Sequence, residues 1–301
     1  MGKFAYVLVF ALVMAGGVGR VQAEAVSIPY KGLNLVGKFI VAENNKPSDE
    51  VILLLHGTLA HLDMETIKGL QAVLGERGHN TLAINLSFSL DMRTGAYDCA
   101  VPHRHLYTDA IDELSVWLDW LAKKGIKDVT LLGHSRGGGQ AAWFGAERGH
   151  DLVKRLVLLA PATWNEEKAA NGFVRSHGRP LADVLKDARL HVASGKGEEM
   201  MKGVGILYCA GADVTAESFL SYYQPDPRFD SPTEMPKIKQ PVLVIAAGLD
   251  KVVPDVVQKV TPLVASDGIR LVVVDDAGHF FLDLFSEDVA DAIEEFIDPG
   301  S

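Results

Sequence analysis

The sequence predicts an α/β protein: a mostly parallel central sheet covered by helices on both faces, with a mainly helical cap insertion. Three observations carry that reading. Short unbroken apolar runs such as Val51-Ile52-Leu53-Leu54-Leu55 have the composition of strands buried on both faces. They alternate with longer segments of helical apolar spacing, the order that yields parallel strands joined by crossover helices. The chain of 301 residues is 48% hydrophobic and 23% charged, ordinary values for a globular protein with room for one large α/β domain.

The N-terminus reads as an export signal. Lys3 precedes an almost wholly apolar run from Phe4 to Val18, and Val21-Gln22-Ala23 places small residues at −3 and −1 of a cut before Glu24. The run is shorter than the roughly 20 residues of a bilayer span, so residues 1–23 are expected to be removed rather than retained as an anchor. The mature chain, residues 24–301, is then expected to be periplasmic or secreted, with no stable membrane insertion. Losing Lys3 and Arg20 takes two positive charges from the net −10, leaving −12. Such a chain repels the phosphates of nucleic acid, which is not an expected partner. Cys99 and Cys209 enter an oxidising compartment, as one disulfide or as two separate buried thiols.

The elements follow in order. Residues 26–41 read as two short antiparallel strands around Lys31-Gly32-Leu33-Asn34, and Asn44-Asn45-Lys46-Pro47 breaks the pattern. The buried run at 51–55 ends at His56-Gly57. A helix follows over 64–77, a strand over 81–86, a long amphipathic helix over 107–123 and a strand over 129–132. Further buried strands lie at 155–159 and 242–246, the last strand is at 271–274, and a helix at about 287–297 closes the chain. Residues of about 162–240 show no clear buried strand and are rich in charge and turn residues, which suits a helical insertion over the sheet.

The chemistry gathers at strand ends. Directly after the strand at 129–132 comes Gly133-His134-Ser135-Arg136-Gly137, a G-x-S-x-G sequence in strand-turn-helix context, with the helix expected to begin near Gln140. Glycine at 133 and 137 gives clearance for a turn that lifts the serine above the sheet. Ser135 then faces free N–H groups at a helix N-terminus, where negative charge is favoured.

On these residues the sequence resembles the α/β-hydrolase superfamily over nearly the whole mature chain. The resemblance implies the chain order nucleophile, acid, histidine, with Ser135 as nucleophile. His279, in Asp276-Ala277-Gly278-His279-Phe280-Phe281 after the last strand, stands where the family places its general base. Asp250, in Gly248-Leu249-Asp250-Lys251-Val252-Val253-Pro254, stands where it places the orienting carboxylate, with Asp255, Asp275 and Asp276 read as solvated loop acids. An oxyanion hole is expected from the backbone N–H groups of Arg136 and Thr58, with Leu59 as an alternative donor. His56 is read as bracing that loop.

Other features are weighed more plainly. The Arg136 side chain either meets a substrate carboxylate or, the preferred reading, pairs with a surface acid of the insertion. His103-Arg104-His105 has metal-ligand spacing but no third ligand, and neither a metal nor a cofactor is expected. Asp91, Arg93, Tyr97 and His105, on the loop after the strand at 81–86, are candidate specificity groups or else solvated loop residues. Trp164, Phe219, Tyr222, Tyr223 and Phe229 form a lid over the site or the insertion's own core. The resulting expectation is a serine hydrolase acting on a small-molecule ester through an acyl-enzyme. Acyl transfer, thioester or peptide cleavage on the same triad, and a non-catalytic binding protein of this fold, are the alternatives.

Overall fold

The computed structural model describes residues 22–43, 45–46, 49–265 and 268–300. The expected signal segment lies outside them except for Gln22 and Ala23. These two open the first strand, β1 (Gln22–Tyr30), so the expected cut would shorten an edge strand by two residues.

β1 and β2 (Leu33–Val41) make an antiparallel hairpin. Its turn is Lys31-Gly32, both at positive φ, the backbone that glycine adopts without strain. Then come β3 (Val51–Leu55), β4 (Asn80–Asn85), β5 (Val129–His134) and β6 (Val153–Leu159). Two-residue strands β7 (Met200–Met201) and β8 (Val214–Thr215) pair in the insertion, and β9 (Val242–Ala247) and β10 (Ile269–Val274) complete the set. The main sheet runs β1-β2-β4-β3-β5-β6-β9-β10. It is parallel from β4 to β10, and β2 joins β4 antiparallel. β3, β4, β5 and β9 are buried at every residue, as strands covered on both faces must be.

The described residues form nine α-helices: α1 (Glu65–Glu76), α2 (Asp109–Lys123), α3 (Arg136–Trp143), α4 (Glu166–His177), α5 (Leu181–Ala193), α6 (Ala216–Tyr223), α7 (Ser231–Glu234), α8 (Val256–Val260) and α9 (Phe285–Ile297). α1 packs on α9, while α3 contacts β5, β6, α2 and α7. Two boundaries differ from expectation in ways that matter. α2 begins at Asp109, whose carboxylate accepts from the Leu106 N–H, and this frees Tyr107 to turn its ring toward the site. α3 begins at Arg136 rather than near Gln140, so the three glycines lie inside the helix, where they let it press on neighbouring backbone.

Between β6 and β9 the chain forms the helical cap, with α4, α5 and α6 as its body. Phe219 is fully buried there, edge-on to Phe173 and stacked near Tyr223. Backbone pairing and a covalent bond are among the ties that hold the loop after β4 to the cap. His103 exchanges backbone hydrogen bonds with Asp213 and Thr215, and Cys99 is disulfide-bonded to Cys209 across 110 residues.

Candidate active site

The turn from β5 into α3 is a sharp one. Ser135 has φ 57° and ψ −120°, outside the regions an L-residue ordinarily occupies, a conformation costing of order 1–3 kcal/mol that the surroundings must hold. Those surroundings are backbone: a Cβ at Gly133 would collide with the Gly137 carbonyl, and one at Gly137 with the carbonyls of Leu55 and His56. Ser135 is also clamped through its own main chain, its N–H donating to Leu159 and its carbonyl accepting from Gly139 and Ala162.

The three residues singled out after separate strands meet here. Ser135 Oγ lies 2.9 Å from His279 Nε2, and His279 Nδ1 lies 2.8 Å from Asp250 Oδ2. The carboxylate fixes the tautomer, since it can only accept: Nδ1 carries the proton and Nε2 is free to accept from the serine hydroxyl. Asp250 and His279 are 7% and 6% exposed, so the hydrogen bond between them is shielded from water, while Ser135 is partly buried and faces the cavity. Burial by itself raises the Asp250 carboxyl. The hydrogen bond from His279 and those from the N–H groups of Val253 and Val252 outweigh it, and the net direction is down. Asp255, Asp275 and Asp276 stand apart from His279. Asp255 accepts from the Thr163 hydroxyl at 2.6 Å and pairs with Lys168, so it is a tied residue rather than a solvated one. Asp275 and Asp276 are exposed.

The loop after β3 comes close to the serine, a Cβ on Gly57 falling 3.1 Å from that of Ser135. Neither the Thr58 nor the Arg136 N–H is taken up by a backbone carbonyl of the described residues. His56 braces this loop from beneath. Its Nδ1 bonds the Gly57 carbonyl, and its Nε2 accepts from the Leu86 N–H and the Arg93 guanidinium. Burial, and then the Arg93 charge, push its pKa down to about 3, so the ring is neutral.

Arg136 does not pair with an acid of the cap. Its Nε donates to Thr58 Oγ1 at 3.0 Å, and its guanidinium lies 5.7 and 5.5 Å from the ring centres of Tyr107 and Tyr222. The four candidate specificity groups are structural instead. Asp91 accepts from Asn34, Arg93 supports His56, Tyr97 donates to the Pro102 carbonyl, and His105 joins His103 and Tyr222. The nitrogens of His103 and His105 that face each other are bonded together, and no set of three metal-ligating side chains converges among the described residues.

A cavity of about 580 Å³ opens over Ser135 and His279. Trp164, Tyr222, Tyr223 and Phe229 line it, as does Tyr208 beside the disulfide, whereas Phe219 belongs to the cap core. Sequence reasoning missed Tyr107, whose signal was only its place before α2, and His134. The His134 Nε2 bonds the backbone carbonyl of His279 at 2.9 Å.

Residues 52–292 match the model of the Alpha/beta hydrolase family. Among solved structures, Est1E from Butyrivibrio proteoclasticus is similar at 20% identity and a TM-score of 0.59, with 91% of this chain and 97% of that one covered. The Pyrococcus furiosus esterase Pf2001 is similar at 19% identity and a TM-score of 0.59, with 92% and 90% covered. E-2-(acetamidomethylene)succinate hydrolase is similar at 16% identity and a TM-score of 0.58, with 92% and 100% covered.

Proposed function

The chain belongs to the alpha/beta hydrolase family, and from that premise we propose that it is a serine hydrolase cleaving a carboxylic ester through an acyl-enzyme. The observation carrying the proposal is the continuous line from Ser135 Oγ through His279 to Asp250, at 2.9 and 2.8 Å. The esterase activity named for the Pyrococcus furiosus protein is in keeping with it. His279 Nε2 takes the hydroxyl proton as Ser135 Oγ bonds to the ester carbonyl carbon, and the Asp250 carboxylate steadies the imidazolium that forms. The N–H groups of Thr58 and Arg136 hold the oxyanion. As the C–O bond to the alcohol breaks, His279 returns the proton to the leaving oxygen. Water, deprotonated by His279, then attacks the acyl carbon, and Ser135 leaves with the proton as the acid departs.

A fluorophosphonate probe and a chain-length series of p-nitrophenyl esters test this directly. Labelling and turnover are expected of the wild type and should vanish in Ser135→Ala. A wild type that neither labels nor hydrolyses any ester would put the binding-protein reading first.

Export remains part of the proposal, with the mature chain in the periplasm or outside the cell. The Cys99–Cys209 bridge supports it, because such bonds persist in oxidising compartments. N-terminal sequencing of protein recovered from the exported fraction should begin at Glu24.

A further inference from the structure

We propose that the substrate carries a second, free carboxylate, which the Arg136 guanidinium and the Tyr107 hydroxyl receive in the cavity beside Ser135. The inference rests on the serine-hydrolase reading above and adds a substrate class to it.

The charge of the cavity lining runs against the net charge of the chain. The whole sequence carries ten more acids than bases, yet among the described residues no Asp or Glu lines this space, while Arg136, Lys168 and Arg175 do. Lys168 is already partnered, with Asp255 at 3.4 Å. Arg175 is exposed. Arg136 is different: it is partly buried and makes no ion pair among the described residues. One hydrogen bond, from Nε to Thr58 Oγ1, leaves both terminal nitrogens without a partner. A guanidinium held by its Nε with its terminal fork open to the cavity is placed to take a planar, bidentate acceptor of matching shape.

Its surroundings fix where it points. The Thr58 bond anchors it beside the loop that reaches Ser135, and the rings of Tyr107 and Tyr222 limit its swing. Tyr107, 1% exposed, brings a second donor, for its hydroxyl has no hydrogen-bond partner among the described residues. The Tyr222 hydroxyl is committed to His105 Nδ1 at 2.9 Å. One guanidinium and one phenol suit a planar monoanion. A phosphate, with more charge and three terminal oxygens, calls for more donors than these.

The test compares two p-nitrophenyl esters of equal acyl length, the valerate and the hydrogen glutarate, on wild type, Arg136→Gln, Arg136→Lys and Tyr107→Phe. Because the Arg136 backbone is placed in the oxyanion hole, the quantity read is the ratio of kcat/KM for the anionic ester to that for the neutral one, in which a shared loss cancels. Wild type should favour the glutarate by at least about tenfold. Arg136→Gln should lower the ratio about 10- to 100-fold, with Arg136→Lys between and Tyr107→Phe losing several-fold. Calorimetry of glutarate with Ser135→Ala gives a second reading that needs no turnover, expected to show binding that Arg136→Gln abolishes. An enzyme that hydrolyses the valerate but shows a ratio near one, unmoved by Arg136→Gln, overturns the inference and leaves the hydrolase reading standing. A loss shared equally by both esters would assign the guanidinium to the oxyanion instead, also against it. No labelling by the fluorophosphonate and no turnover of either ester would remove the hydrolase reading itself.

Discussion

The imidazole of His134 bonds the backbone carbonyl of His279 through Nε2 at 2.9 Å, so the residue before Ser135 anchors the loop carrying its histidine partner. The two rings lie 5.0 Å apart, and His134 is 1% exposed. Burial, and then the nearby His279, push the His134 pKa down to about 4, which keeps it neutral and a single-proton donor at Nε2. Replacing it with Leu removes the anchor and leaves the His279 carbonyl unpaired. The expected result is a kcat lower by about 10- to 100-fold with KM within about threefold, since a base displaced by a fraction of an ångström costs chemistry more than binding. Steady-state kinetics on a p-nitrophenyl ester read this split, and a rise in KM alone would count against the anchoring role.

Asp250 accepts three hydrogen bonds, two from its own loop and one from His279, and the last selects the Nδ1–H tautomer. Asp250→Asn keeps the shape but can present an N–H to that nitrogen, turning the proton onto Nε2, which faces the serine and then cannot accept the hydroxyl proton. A fall in kcat of about 10³- to 10⁴-fold at neutral pH is expected. A loss under tenfold would mean that another acid orients the histidine.

The pieces of this site were legible in the sequence where local rules govern them. Gly133 and Gly137 announce a turn that only backbone contact can require, Asp250 follows a buried apolar strand, and His279 follows an apolar strand buried only at its ends. The β1–β2 hairpin was legible too, although β1 begins earlier than expected. What stayed hidden depends on packing between distant segments. Nothing about Arg136 in sequence says that its acid partner is absent and that tyrosines from 107 and 222 enclose it. Nor does spacing reveal that Arg93 and His105, plausible pocket residues on a loop, turn inward to brace His56 and His103. The pairing of Cys99 with Cys209 likewise rests on the cap folding back over that loop.

That bridge bears on activity as well as on stability. Closing a loop of 110 residues removes chain entropy worth about 4–5 kcal/mol on the simplest account. Cys209 also sits just after Leu207 and Tyr208, both of which line the cavity. The double variant Cys99→Ser/Cys209→Ser should therefore melt at a lower temperature and show a raised KM, with kcat changed less. Thermal scans and steady-state kinetics with and without a reductant check it: reductant should move the wild type toward the variant and leave the variant where it is. A wild type indifferent to reductant, though shown by mass to be reduced, would refute the link.

Glu113 makes a pH prediction with a definite sign. It lies 1% exposed on α2, accepting from the Ser87 hydroxyl at 2.5 Å and the Ser87 N–H at 2.9 Å. Burial raises its pKa to about 7 against 4.5 for the free group. Asp109 adds to the rise, and the Ser87 bonds and Arg93 oppose it. A carboxyl raised in the fold holds its proton more tightly there than in the unfolded chain. Its contribution is complete below pH 4.5 and is lost as pH climbs through 7. Each unit of that shift corresponds to about 1.4 kcal/mol, so the wild type gives up of order 3 kcal/mol from this group between acid and neutral pH. Glu113→Gln has no proton to lose. Denaturant unfolding at pH 4.5 and pH 8 should find the variant gaining on the wild type by up to about 3 kcal/mol at the higher pH, whatever its absolute stability. A difference between the two proteins that does not change with pH would show that Glu113 is not held protonated by the fold.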